Sequence, residues 1–333
     1  MFIIAEAGVN HNGDIETAKK LVDMAKRSGA DAVKFQTFKA QDIVDVNEKK
    51  VNYQEINDST NETQFEMLKR LELTYDEFRE LKKYCDDVGI IFLSTPFSVD
   101  ALKFLISIDM PIIKLSSTEI TNYPFLVEVA KCNKPIILST GMSYFDEVAN
   151  AVSILQENGE NNITLLHCTT NYPTLIEEVN LRAIETLKKL VKNVGYSDHT
   201  TNSLAAVLAT SLGACVIERH ITLNKRMKGP DHKASAMEKE FTEYVAQIRN
   251  AEIALGDGIK RPTKSEESMR KKVRRSLVAK TNIKKGDVIN LSMLECKRPA
   301  LGLSPIFYTD ILDKKVIMDI EKGKYVLEEY LET

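Results

Sequence analysis

Residues 90–140 read IIFLSTPFSVDALKFLISIDMPIIKLSSTEITNYPFLVEVAKCNKPIILST. Three apolar runs, IIFLS at 90–94, IIKLS at 112–116 and PIILST at 135–140, alternate with helix-period segments at 98–107 and 123–131. Such short Ile- and Leu-rich runs between breakers are strands buried on both faces. Strands that alternate with helices build βαβ units and a parallel sheet.

The same rhythm runs outward in both directions. Upstream lie FIIAE (2–6), an amphipathic stretch from Glu16 to Arg27, AVKFQ (32–36), and helical patterns at 63–72 and 75–87. Downstream, a helix at 144–157 precedes ITLLHC (163–168), a helix at 180–191 and NVGYSD (193–198). A helix at 202–211, CVIERH (215–220) and a helix at 238–254 complete the series. Eight strands and at least eight helices match a (β/α)8 TIM barrel, which takes about 250 residues. A doubly wound open sheet is the structural alternative, but no G-x-G-x-x-G follows the first strand.

After Leu255 the composition changes. KRPTKSEESMRKKVRR at 260–275 carries eight basic and two acidic side chains. With no interleaved aromatic residue, it reads as a solvated linker that also meets an anionic ligand or a neighbouring subunit, not as a nucleic-acid patch. From Ser276 the pattern becomes short strands and turns, a small mostly-β region too small to be very stable alone. The expected division is a barrel domain at 1–259, a basic linker at 260–275 and a small β domain at 276–333.

Composition excludes several classes. The 333 residues hold 45 Lys+Arg and 48 Asp+Glu, a net charge of −3 that exerts no general pull on nucleic acid. The longest clean apolar run, Leu204 to Ala209, is far short of the ~20 residues of a membrane span. Five scattered cysteines without C-x-x-C argue against a disulfide framework or a cysteine zinc site. The opening MFIIAEAGVNHNGD lacks the basic segment of a signal peptide, so a reducing cytoplasm is the expected compartment.

In a barrel the C-terminal strand ends carry the chemistry. Here all eight end in polar residues: Glu6; Lys34 and Gln36; Ser94 and Thr95; Lys114, Ser116, Ser117 and Glu119; Ser139 and Thr140; His167; Ser197, Asp198 and His199; Glu218, Arg219 and His220. Lys34 and Lys114 with the hydroxyls of Thr95, Ser117, Ser139 and Ser197 suit a dense anion such as phosphate. His199 and His220 on adjacent strand ends can hold one divalent metal, with oxygen from water or substrate completing its shell. Glu6 and Glu119 can place a water or move a proton. His11 and His232 lie in loops and either cap a turn or touch ligand. His167 and Cys168 cannot form a dyad, because consecutive strand side chains point to opposite faces. Glu218 pairs with Arg219 or orients His220.

In ordered detail the chain resembles the sialic acid synthases, including the legionaminate and pseudaminate synthases. The matching segments are AEAGVNHNGD (5–14), VKFQTFKA (33–40), STPFS (94–98), KLSSTE (114–119), ILSTGM (137–142), LLHCTTNYP (165–173), YSDHT (196–200), ERHIT (218–222) and GPDHKAS (229–235). KRPALGLSP (297–305) resembles part of the family's antifreeze-like (SAF) domain. The resemblance implies condensation of phosphoenolpyruvate with an N-acylated mannosamine-type sugar. It implies His199 and His220 as ligands of a divalent metal, manganese first, with magnesium or cobalt as alternatives. By the same analogy Lys34, Thr95, Lys114, Ser117, Ser139 and Ser197 bind phosphoenolpyruvate. Glu6 positions water or assists proton transfer, and Glu119 sits close to the reacting carbons. Gln36 and Tyr172 line the sugar site. Arg298 reaches from the small domain into the barrel of the other subunit of a domain-swapped homodimer. N-acetylmannosamine is the first expected sugar and 2,4-diacetamido-2,4,6-trideoxymannose the second. Two positions depart from the family pattern: Ala300 in an R-P-G-x-G loop, and Thr170 where some members carry Asn.

Overall fold

The computed structural model describes residues 1–50 and 62–332. They form two compact units, Met1–Gly256 and Asp257–Thr333.

The first unit is the barrel. Its strands are β1 (Phe2–Gly8), β2 (Ala32–Thr37), β3 (Ile91–Pro96), β4 (Ile113–Leu115), β5 (Ile136–Ser139), β6 (Ile163–Cys168), β7 (Asn193–Asp198) and β8 (Val216–His220). Its helices are α1 (Ile15–Arg27), α2 (Ala40–Ile43), α3 (Gln64–Leu71), α4 (Tyr75–Val88), α5 (Val99–Ser107), α6 (Tyr123–Ala130), α7 (Phe145–Glu157), α8 (Ala183–Leu187), α9 (Leu204–Ser211) and α10 (Glu238–Leu255). The strands run parallel in the order β3-β2-β1-β8-β7-β6-β5-β4. β3 and β4 lie side by side, but no ladder joins them. The result is a barrel closed everywhere but at one seam.

Local chemistry sets the element ends. Asp14 caps α1 by accepting from the Thr17 amide. Thr63 with Glu66, and Thr74 with Glu77, form reciprocal capping boxes that start α3 and α4. Gly89, left-handed at φ 78°, ends α4 and turns the chain into β3. The strands are buried on both faces, as Ile3, Ile4, Val33, Leu93, Ile113, Leu138 and Leu165 show. That two-sided burial is why the runs read as continuous apolar stretches rather than alternating ones.

Two expectations change. The helix expected over 180–191 shrinks to α8: Asn180 is left-handed (φ 44°) and does not start a helix, and turns flank Ala183–Leu187 on both sides. The basic stretch 260–275 contains a helix, α11 (Glu267–Val273), whose last turn carries Arg270, Lys271 and Lys272 where a helix dipole favours cations.

The second unit adds α12 (Tyr308–Ile311) and an antiparallel pair, β9 (Ser276–Ala279) with β10 (Leu294–Lys297). Its core gathers Leu277, Ile283, Ile289, Ile311, Val316, Ile320 and Val326. Ala300 and Leu301 take ordinary backbone angles, so the loop carrying Arg298 needs no glycine there. Ser276 Oγ ties this loop by donating to Pro299 O (2.9 Å) and accepting from the Gly302 amide (2.9 Å). At Gly302 a Cβ would lie 2.7 Å from that of Tyr325, so a side chain is excluded by contact.

Candidate active site

Alternate strand residues face the barrel axis. Near the C-terminal ends this places Glu6, Lys34, Thr95, Lys114, Ser139, Cys168, Ser197, Glu218 and His220 around one cavity of about 110 Å³. Gln36, Ser117, Thr170, Tyr172 and His199 join the wall, which Phe97, Ser116, Thr118 and Met142 complete. A wider cleft of about 710 Å³ adjoins it and shares Met142, Cys168 and Thr170.

One half of the cavity is a charge network. Lys34 Nζ lies 2.8 Å from Glu6 Oε2 and 3.7 Å from Glu218 Oε2, and donates to Thr95 Oγ1 at 3.3 Å. Lys114 Nζ donates to Ser139 Oγ (2.7 Å) and Leu115 O (3.0 Å), and lies 3.7 Å from Glu218 Oε1. Glu218 therefore bridges the two lysines and also accepts from Ser197 Oγ at 3.1 Å. Gln36 Nε2 donates to Glu6 Oε1 at 3.1 Å. Ser117 Oγ accepts from the Gly141 amide at 2.9 Å.

Burial acts on every one of these groups, and neighbours decide the outcome. Burial pushes the Glu6 carboxyl up to about 7, with Lys34 only partly offsetting it. Burial works the same way on Glu218, but Lys114 and Lys34 outweigh it and hold that carboxyl at about 2. Lys34 is raised despite its burial, because Glu218 and Glu6 face it. Lys114 is lowered, chiefly by burial. Two carboxyls whose pKa values are driven apart are suited to different tasks. Glu218 is a permanent anion, and Glu6 is poised to exchange a proton near neutrality.

The other half holds the histidines. Their ring centroids are 5.6 Å apart, and Tyr172 packs on His199 at 4.2 Å and edge-on to His220 at 5.5 Å. Burial lowers both imidazole pKa values, so both rings are neutral at pH 7. His199 Nδ1 lies 2.7 Å from Thr169 O, an acceptor only, so Nδ1 carries the hydrogen and Nε2 presents a lone pair. Ser197 Oγ stands 3.5 Å from that lone pair, but its hydrogen goes to Glu218. His220 Nδ1 is buried without a hydrogen-bond partner. Two neutral imidazoles, each with an under-used nitrogen, fit a divalent cation. No group of three or more His, Cys, Asp or Glu suited to a metal occurs among the described residues, so water or substrate would supply the remaining ligands.

The cavity thus gathers eleven of the thirteen site residues named from the sequence: Glu6, Lys34, Gln36, Thr95, Lys114, Ser117, Ser139, Tyr172, Ser197, His199 and His220. Glu119 is not in its wall. β4 ends at Leu115, and the 3-10 turn Ser117–Thr121 delivers the Glu119 carboxylate to Thr118 Oγ1 (3.0 Å) and Asn122 Nδ2 (2.7 Å). Arg298 belongs to the second unit. His11 and His232 are fully buried in the loops after β1 and β8. His232 spans Thr222 Oγ1 (2.7 Å) and Asn12 Oδ1 (3.2 Å), while His11 Nδ1 accepts from the Gly13 amide (3.0 Å). His167 bonds Val179 O through Nε2 (2.7 Å), on the opposite face from Cys168, which lies 3.5 Å from Ser117 Oγ.

Sequence reasoning missed two carboxyls. Glu218, expected to pair with Arg219 or serve His220, instead lies between the lysines, and its two-residue spacing from His220 was the available signal. Asp231, in the GPDHKAS loop, is buried and its carboxyl is pushed up to about 6 by burial alone. No periodicity exists in a loop to reveal that.

Comparison with known proteins agrees with this architecture. Residues 21–260 match the NeuB family model and residues 274–332 the SAF domain model. The chain is 47% identical over 329 residues to the N,N'-diacetyllegionaminic acid synthase of Campylobacter jejuni, covering 98% of both chains. It is 36% identical to the N-acetylneuraminate-9-phosphate synthase of Homo sapiens, covering 99% of this chain and 92% of that one. Among solved structures, the N-acetylneuraminic acid synthetase of Leptospira borgpetersenii, in complex with citrate, superposes with a TM-score of 0.70. That match has 34% identity and covers 80% of this chain and 89% of the other. The barrel, its polar strand ends and these matches together make the chain a member of the NeuB family, the sialic acid synthases, with a C-terminal SAF domain.

Proposed function

We propose that this protein joins phosphoenolpyruvate to an N-acylated mannosamine-type sugar, giving a nine-carbon 2-keto acid and phosphate. The observation that carries the reading is the division of one small cavity into a lysine–hydroxyl half and a neutral-imidazole half. Lys34, Lys114, Thr95, Ser117, Ser139 and Ser197 bind the phosphate and carboxylate of phosphoenolpyruvate. The incoming anion competes with Glu218 for Lys34 and Lys114.

The C2–C3 π pair of the enol forms a bond to the sugar's aldehyde carbon as the C=O π bond opens, water adds at the cationic C2, and a proton from that water ends on the former aldehyde oxygen as a hydroxyl. The C2–O bond to phosphate then breaks, releasing phosphate and leaving the ketone. Glu6, poised near neutrality, takes the proton from the adding water, and Gln36 holds its other oxygen in place. A divalent cation on His199 and His220, manganese first, would supply Lewis-acid polarisation of the aldehyde oxygen. The small cavity suits the three-carbon acid, and the sugar extends into the adjoining cleft beside Thr170 and Met142. Glu119 acts at this end through the turn it holds, whose Thr118 lines the cavity.

For the sugar, the greater identity to a legionaminic acid synthase (47%) than to an N-acetylneuraminic acid synthetase (34%) favours 2,4-diacetamido-2,4,6-trideoxymannose over N-acetylmannosamine. In the same reading the chain acts as a homodimer in which Arg298 of a second copy contacts the N-acyl group. The deciding experiment is phosphate release from phosphoenolpyruvate with each sugar, before and after chelation and manganese add-back. No release with any mannosamine-type sugar overturns the function. Full activity after rigorous metal removal overturns the metal.

A further inference from the structure

Behind the histidines lies a second polar cluster that faces away from the cavity. Asp198 and Arg219 are paired in the β7–β8 register, one residue out of step with the inward-facing Ser197, His199, Glu218 and His220. Strand side chains on that face of a barrel pack under helices and are ordinarily apolar. Here they are a buried ion pair, Arg219 Nη1 to Asp198 Oδ2 at 3.6 Å, with 6% and 1% of each residue exposed. Tyr244 of α10 covers both. Its hydroxyl donates to Asp198 Oδ2 at 2.9 Å, and the guanidinium lies over its ring at 4.5 Å.

The remaining bonds converge on the chain that follows His199. Asp198 Oδ1 accepts from the Thr200 amide (2.8 Å) and from Tyr196 Oη (3.3 Å). Arg219 Nη2 donates to Thr200 O (3.0 Å) and Nη1 to Asn202 O (2.8 Å). To make those two bonds the guanidinium leaves Nε buried without a partner. Buried ion pairs are weak sources of stability compared with apolar side chains of similar size, and an unmatched buried donor adds to the cost. What this one does achieve is geometric. It ties the segment after His199, just beyond β7, to Arg219, next to His220 on β8. In front, His199 is held by Thr169 through its ring and by Thr174 through its carbonyl (2.9 Å).

We infer that Asp198 and Arg219 are positioning residues that fix the separation of the His199 and His220 rings and thereby set the affinity for a divalent cation. The inference rests on the reading of those histidines as metal ligands, and the test separates the two. Metal-free full-length protein is titrated with Mn²⁺ alone, and free Mn²⁺ is followed by its electron paramagnetic resonance signal. Arg219→Lys reaches at most one of the two carbonyls, and it weakens Mn²⁺ binding by about tenfold or more. Tyr244→Phe, the gentler variant, removes one of the donors to Asp198 and weakens binding about threefold. Phosphoenolpyruvate binding stays within about twofold in both, because the lysine half is untouched.

If both variants lower Tm yet bind Mn²⁺ as the wild type does, the pair is structural and the inference falls alone. If wild-type protein binds no Mn²⁺, or His199→Ala and His220→Ala bind it unchanged, the metal reading falls and takes the inference with it. Weaker Mn²⁺ binding together with equally weakened phosphoenolpyruvate binding also overturns it, since the damage is then general.

Discussion

The two halves of the cavity solve opposite problems. In the lysine half each ammonium group faces a carboxylate: Lys34 has Glu6 and Glu218, and Lys114 has Glu218 and a hydrogen bond to the Ser139 hydroxyl. In the imidazole half nothing is charged, and His220 Nδ1 has no hydrogen-bond partner. On the proposed reading, a site for a trianion comes with its own displaceable counter-ion, whereas a site for a cation is neutral and incomplete. The contrast follows from electrostatics. Two buried ammonium groups cannot stand uncompensated, but two buried neutral imidazoles can.

The strongest test of that contrast is chemical. Glu6→Gln lowers kcat by about 10²–10⁴-fold, the usual range for loss of a general acid–base group. It also removes the limb near pH 7 from the kcat/KM profile, whose rise with pH reports ionisation of Glu6. A retained limb assigns the proton transfer to another group.

Next in size is stability. Glu218→Ala strands Lys114, leaves Lys34 with Glu6 alone, and lowers the free energy of unfolding by about 3–5 kcal/mol in denaturant titrations, as broken buried pairs do. Added phosphate restores part of that loss by occupying the same place. His199→Ala in metal-free protein removes no counter-charge and costs about 1–2 kcal/mol, the range for ordinary substitutions. Equal losses would erase the distinction between the halves.

The pH dependence of stability sharpens it further. Glu218 is held below its ordinary pKa, so its contribution is complete above pH 4.5 and is lost as pH falls through about 2. Glu6 is held above it, so its contribution is complete below pH 4.5 and is lost as pH rises through about 7. Denaturation of Glu6→Gln across pH 4.5–7 is therefore flatter than that of the wild type. The smallest effect lies outside the barrel. Arg298→Ala raises the sugar KM by about tenfold, a typical loss for one charged hydrogen bond, and leaves the KM of phosphoenolpyruvate within about twofold. Equal changes in both count against the contact across subunits.

Most of the barrel was legible because two-sided burial writes each strand as an unbroken apolar run. The site was legible because eight such runs end in polar residues, which a core would not tolerate. What escaped was set by geometry with no sequence period. Glu119 follows KLSS as if it were a strand end, but β4 stops at Leu115 and the turn swings the carboxylate onto Thr118 and Asn122. Asp231 sits in a loop, where burial cannot be read from neighbours. Asp198 and Arg219 stood among the polar ends and were assigned to no chemistry. The strand period of two does separate them from Ser197 and Glu218, but only the packing of Tyr244 shows what the outward face is for.

The unladdered seam between β3 and β4 has a consequence for motion. At the seam the Ser94 amide donates to the Met110 thioether at 3.2 Å, a weak acceptor that protects poorly against solvent exchange. Thr95 stands on one bank and Lys114 on the other, so an anion gripped by both becomes a rung that the backbone itself omits. Deuterium uptake at the Ser94 amide of β3 should therefore be fast in the free protein and slow once phosphoenolpyruvate binds, while β1 and β8, laddered on both sides, exchange at the same slow rate in either state. On the proposed reading the substrate would finish the fold, sealing the barrel at the one place where its own hydrogen bonds leave it open.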